Sequence, residues 1–299
     1  MKQWLQPIRV LLLYLIVLAI IATISWGWYD TRELGSAALS AILLLTGYNL
    51  IHQILWRRNL IQKTRWEHQI ISCLILFLLY EPGLSWYAYL IIGALAEVLQ
   101  RIFRYPTGPV LNPAASVVAL LAFIGMFHQI TGWTGWLPLW WGVSFAPRLP
   151  FFEGGMSVAA LLTIPLAGWV AYKYRKLWIV FTALTVFIPL CYLLLQQSPV
   201  FRVFEGTMLF FLLVMAVEPK TSPATRNQQL LYGAALGLLT IIGIKFVWFE
   251  AYTMSLVLTN IIFNTYRNRL FLFKKALKPI QAQANAVTET ANEPPHTQR

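Results

Sequence analysis

Acidic residues are scarce in this chain: 11 Asp and Glu among 299 residues, against 23 Lys and Arg. All charged residues together make up only 11% of the sequence, while apolar residues make up 58% and aromatic ones 15%. A soluble domain of this length cannot hide that much apolar surface, so a polytopic membrane protein is indicated, with the lipid bilayer as its first partner. The only two cysteines, Cys73 and Cys191, lie inside apolar stretches. That argues against a disulfide framework, a Cys-x-x-Cys metal site and ligation of an iron–sulfur cluster. Of the four histidines, His52 and His128 fall at opposite membrane faces, His68 at a boundary and His296 in the tail. Paired ligation of haem is therefore not expected, and no metal site is read from the sequence. The net charge of +12 does not point to nucleic acid, because the basic residues sit between apolar stretches and not on one face.

What is present is a series of ten apolar stretches. They cover 10–28, 36–55, 68–80, 84–98, 112–130, 155–172, 177–195, 203–217, 229–246 and 249–266. The first has a basic flank like a signal peptide, but it is long enough to span and no small-residue cleavage site follows, so it counts as the first helix. If the N-terminus lies in the cytoplasm and the spans alternate, 19 of the 23 basic residues fall inside and 4 outside. The positive-inside rule then places both termini in the cytoplasm of a plasma or bacterial inner membrane.

The ten stretches divide into two units of five, about 1–140 and 141–278. A shift of 137 residues carries Glu81-Pro82 onto Glu218-Pro219 and Ser85 onto Ser222. Five is odd, so the second unit is expected to be inverted relative to the first, with its site where the halves meet. The fold class expected is thus an all-α polytopic membrane protein, about ten helices in two inverted five-helix repeats with broken helices. One transmembrane domain covers 1–278, and the polar stretch 279–299 reads as a disordered cytoplasmic tail.

Two segments interrupt helix at membrane level, where irregular backbone survives only if buried in protein or lining a polar cavity. The first is Tyr105-Pro106-Thr107-Gly108-Pro109-Val110-Leu111-Asn112-Pro113. Its prolines and glycine prevent helix up to Pro113, which suits a first-turn position with Asn112 as N-cap. The second is Glu218-Pro219-Lys220-Thr221-Ser222-Pro223, continuing to Asn227. Its charges are costly at depth unless paired or wetted. Against the functional readings stand an ordinary capped loop and a plain cytoplasmic turn. Asn260, deep in the tenth stretch, needs a polar partner. Glu97 and Glu205 near span ends, and Glu250 at the start of the tenth, read as interfacial. The tryptophans between 131 and 154 read as an outer aromatic belt.

Three segments in order resemble the NqrB/RnfD membrane subunits of the sodium-pumping NADH:quinone oxidoreductase and the Rnf complex. Asn112-Pro113-Ala114-Ala115 is similar to the family's Asn-Pro-x-x or His-Pro-Ala-Ala element. Glu218-Pro219, Thr225 and Tyr232-Gly233 resemble its Asp-Pro stretch with the aromatic-Gly pair that follows. Glu250-Ala251 with Leu258-Thr259-Asn260 is similar to its last-helix pattern. The family fold, ten helices in inverted fives, agrees with the span count. The outer loop Thr131-Gly132-Trp133-Thr134-Gly135-Trp136 lacks the family's Ser-Gly-Ala-Thr-like flavinylation motif, so no covalent FMN is expected.

The resemblance implies a membrane electron-transport subunit linked to ion translocation and working with other membrane or redox subunits. It would hold non-covalent FMN, riboflavin or quinone between its halves, in a cavity lined by Thr107, Asn112, Glu218, Thr221, Ser222 and Thr225. The alternatives are a transporter or channel for a small polar solute on the same architecture, and a non-catalytic assembly subunit.

Overall fold

The structure, a computed structural model, describes residues 6–27, 31–56, 66–105, 108–126, 141–144, 148–149, 156–196, 203, 206–246 and 250–269. It is almost wholly helical. The helices are α1 (Pro7–Gly27), α2 (Thr31–Trp56), α3 (Trp66–Leu79), α4 (Trp86–Ile102), α5 (Pro113–Met126), α6 (Val158–Lys173), α7 (Leu177–Leu195), α8 (Thr207–Ala216), α9 (Arg226–Lys245) and α10 (251–269). A single helical turn at Trp141–Ser144 lies between α5 and α6. Two short antiparallel ribbons complete the described fold: Arg104–Tyr105 with Gly108–Pro109, and Arg148–Leu149 with Met156–Ser157.

Four helices carry segments long and apolar enough to cross a membrane: Pro7–Ser25, Leu34–Ile54, Leu177–Leu195 and Arg226–Lys245. Four shorter apolar helices are Glu67–Leu79, Pro113–Gly125, Val158–Lys173 and Thr207–Ala216. Large apolar side chains also face outward, among them Leu13, Ile42, Phe181 and Leu193. An outer surface of this kind suits lipid and not water.

The helix contacts repeat. In the first five, α1 packs on α3 and α2 on α4; in the second five, α6 packs on α8 and α7 on α9. The leading helices of the two groups, α1 and α6, pack on each other. Tyr14 of α1 meets Thr163 of α6 there, hydroxyl to hydroxyl at 2.6 Å.

Glycine brings the tightest pairs together. A Cβ on Gly93 of α4 would lie 2.1 Å from Leu44 O of α2, and one on Gly47 would lie 2.2 Å from Leu90 O. In the second group, a Cβ on Gly233 or Gly237 of α9 would lie 2.4 Å from Ile179 O or 2.6 Å from Ala183 O of α7. Without a hydrophobic drive between helices in lipid, backbone approach of this sort supplies the packing attraction.

Helix α8 is irregular. After one turn of α-helix at Thr207–Phe210 it continues as π-helix over Phe211–Ala216, with every side chain buried. Gly206, at φ 107°, begins it, a conformation that side chains rarely adopt. The sequence pattern showed only an apolar run here. A π-helix shifts the register of the chain that follows, and such segments concentrate at functional sites.

A polar junction between the broken segments

The first broken segment ends at α5. Asn112 Oδ1 accepts from Ala115 N at 3.0 Å, the N-cap bond expected from the sequence. The other end of the same side chain turns to the second broken segment. Nδ2 makes a long 3.5 Å donation to Met215 O, at the end of the π-helix, and Asn112 shares the wall of one cavity with Glu218.

The second broken segment folds on itself around Glu218. Thr221 N and Ser222 N donate to Glu218 O at 3.3 and 3.1 Å, and Ser222 Oγ donates to it at 2.6 Å. Thr221 Oγ1 donates to Glu218 Oε2 at 3.1 Å. These are the groups a helix end leaves unsatisfied, here met by hydroxyls in place of water.

Three further side chains hold the segment from outside. Asn264 of α10 donates through Nδ2 to Val110 O at 2.9 Å and to Thr221 O at 3.0 Å, so one amide bonds both broken segments. Lys176, between α6 and α7, donates to Ser222 O at 3.0 Å and also to Pro223 O. Gln229 of α9 donates to Ala224 O at 3.0 Å, Pro223 O at 3.3 Å and Arg175 O at 2.9 Å. All three side chains are buried. Burial and the nearby Arg267 pull the Lys176 ammonium down to about 8.

Beside this junction lies a cavity of about 40 Å³. Asn112, Glu218, His68, Ser72 and Tyr174 contribute polar groups to its wall, and α1, α3, α6 and α8 contribute aliphatic ones. That space admits a water or two. Sites for ring-bearing ligands run roughly 300–1,000 Å³, so a flavin or quinone ring does not fit here.

Of the residues singled out from the sequence, Asn112, Glu218, Thr221 and Ser222 come together. Thr107 lies outside the described residues. Thr225 does not join the site: it is exposed, sits at the N-cap position of α9 and makes no side-chain cap bond. Its place one residue before a helix explains its polarity without a ligand. Asn260 does have a partner, accepting from Tyr232 Oη at 2.6 Å.

Glu97 corrects the sequence reading. It is fully buried, not interfacial, and Oε1 accepts from Arg101 Nε at 2.7 Å. His52 Nδ1 lies 2.9 Å from the same oxygen. The i,i+4 spacing of Glu97 and Arg101 was a visible signal. Glu250 is likewise buried, with Thr253 Oγ1 donating to its Oε2 at 3.1 Å. Glu205 and the Trp133–Trp140 belt lie outside the described residues.

Compared with known proteins, the chain matches no family model, and no curated protein matches it significantly.

Proposed function

We propose that this chain is the membrane-embedded subunit of an electron-transport system of the NqrB/RnfD kind. In this reading it has ten spans in two inverted five-helix units, with both termini in the cytoplasm. One observation carries it: the three segments that resemble the family lie against one another. Asn112 of the first segment donates to Met215 O, three residues before Glu218 of the second, and lines one cavity with Glu218. Tyr232, which follows the second, bonds Asn260 of the third. Asn264, one turn beyond Asn260, bonds the first two. The matched pairs α1·α3 with α6·α8 and α2·α4 with α7·α9 support the repeat.

The junction cavity has no room for a cofactor ring. Size directs a non-covalent ring to an apolar groove of about 340 Å³ between α4, α5 and α10, walled by Leu99, Phe103, Leu120, Phe123 and Met254 among others. Among the described residues, Ser116 supplies the one side-chain hydroxyl in that wall. The hydrogen-bonding edge of a flavin would go unsatisfied there, so the groove favours a quinone. When bound, a quinone supplies the electron-transfer chemistry; these side chains supply an apolar seat and exclude water.

The test is an absorbance spectrum of the purified protein, with mass spectrometry of an organic extract. A quinone retained by wild type and lost from Ala119→Phe supports the proposal. An extract with neither quinone nor flavin sinks it.

The small polar cavity favours a second reading, passage of a small polar solute between the halves. Uptake into proteoliposomes that disappears in Asn112→Ala and Glu218→Ala, with no redox cofactor in the extract, selects it.

A further inference from the structure

A second cavity, about 310 Å³, opens beside the second broken segment and has a different chemistry. Arg101, Arg104 and Lys220 bring three cationic side chains to its wall, and His68 adds an imidazole. Tyr48, Gln69 and Gln100 are its neutral polar members, and no carboxylate is in the lining among the described residues. We infer that this cavity binds a phosphate group, as a phosphate monoester or diester, between the first five helices and Lys220 of the second five.

A positive cytoplasmic face alone requires no cavity, no exclusion of acids and no fixed guanidinium. Here the Arg101 guanidinium is anchored through Nε, which donates to the buried Glu97 at 2.7 Å. Anchoring at Nε, with Nη2 lying 3.4 Å from His52 Nδ1, orients the planar fork and lowers the entropy lost when it meets an oxyanion. Gln100 is oriented too: its Oε1 accepts from Tyr48 Oη at 2.9 Å, which leaves Nε2 as the donor end of that amide. Arg104 stands in the short ribbon after α4 and is exposed. An oriented guanidinium, two further cations and neutral donors together suit a doubly or singly charged oxyanion. The volume accommodates the phosphate and a few attached atoms, not a whole dinucleotide. The inference does not depend on the electron-transport reading, since it uses only the wall of this cavity.

Two sources could present that group: the headgroup of an anionic phospholipid, or a soluble phosphomonoester. Native mass spectrometry of the full-length protein with phosphatidylglycerol and with phosphatidylcholine tests the first. Equilibrium dialysis with AMP and, as a phosphate-free control, adenosine tests the second. One of the two phosphate probes is expected to bind with at least tenfold preference over its control, weakening as salt rises. Arg104→Gln with Lys220→Gln should cost that probe at least tenfold in affinity. Lys173→Gln removes a positive charge outside the cavity, at a lysine stacked over Trp169, and should cost little. Gln69→Glu, which adds an acid to the wall, gives an independent readout and should weaken binding to a similar degree. No preference for either phosphate probe, or an equal loss in Lys173→Gln, overturns the inference.

Discussion

Asn264 Nδ2 donates to Thr221 O at 3.0 Å, joining the last helix to the irregular backbone that interrupts the chain after α8. The same nitrogen reaches Val110 O at 2.9 Å in the earlier interruption. A single buried amide therefore satisfies two carbonyls that no helix serves. Its removal leaves both without a donor where water has little access.

Asn264→Leu should thus be among the more damaging single substitutions, at about 2–4 kcal/mol for two stranded carbonyls. Thermal unfolding in detergent should show a clearly lowered midpoint. A midpoint within a degree of wild type would mean the two segments are held by other contacts.

The helix crossings make a paired prediction. Gly93→Ala puts a Cβ 2.1 Å from Leu44 O, which α2 and α4 can relieve only by separating. Gly237→Ala does the same against Ala183 O at 2.6 Å. Both should destabilise the protein, whereas Gly168→Ala meets nothing within 4 Å and should be neutral or stabilising by up to about 1 kcal/mol. Equal effects at all three positions, read from thermal unfolding, would remove close backbone approach from the account.

Glu97 and Arg101 should respond asymmetrically. Arg101→Gln leaves a carboxylate, fully buried, with His52 as its remaining side-chain partner, and should cost about 3 kcal/mol. Glu97→Gln retains a carbonyl acceptor and leaves the partly exposed guanidinium access to water, so its cost should be smaller. Chemical denaturation of the two variants decides the order.

Lys176 makes stability depend on pH. Its ammonium is brought down to about 8 by burial and by Arg267, from 10.5 for an ordinary lysine. Between those values the unfolded chain binds the extra proton and the folded chain does not. Folding stability should therefore rise with pH from about 8 towards 10.5. Lys176→Met should flatten that rise, and also weaken the protein by leaving Ser222 O and Pro223 O without this donor. A wild-type profile that falls across the window contradicts the assignment.

Much of the frame was legible because lipid imposes a simple rule on sequence: an apolar stretch of a given length, bounded by charge, becomes a helix. Each of the ten stretches read from the sequence overlaps one of the described helices, with ends moved by several residues. Asn112 before Pro113 marked a helix start for an equally local reason, since a capping side chain bonds the turn next to it. Glu218, Thr221 and Ser222 stood out because charge and hydroxyls interrupted a run of apolar residues.

The tertiary structure decided the rest. Asn264 looks in sequence like one polar residue in an apolar helix; its two acceptors lie 43 and 154 residues away. Glu97 reads as interfacial until α2 brings His52 against it. Thr225 shares its composition with the site and yet faces outward, because one turn of chain separates it from Thr221. The π-helix of α8 left no mark in composition, since it differs from an α-helix only in which carbonyl each N–H meets. Composition determined that this chain would be helical and suited to lipid, because burial in hydrocarbon is a property of each stretch by itself. Which polar groups meet was settled by helix packing, because a hydrogen bond depends on where two distant segments come to lie.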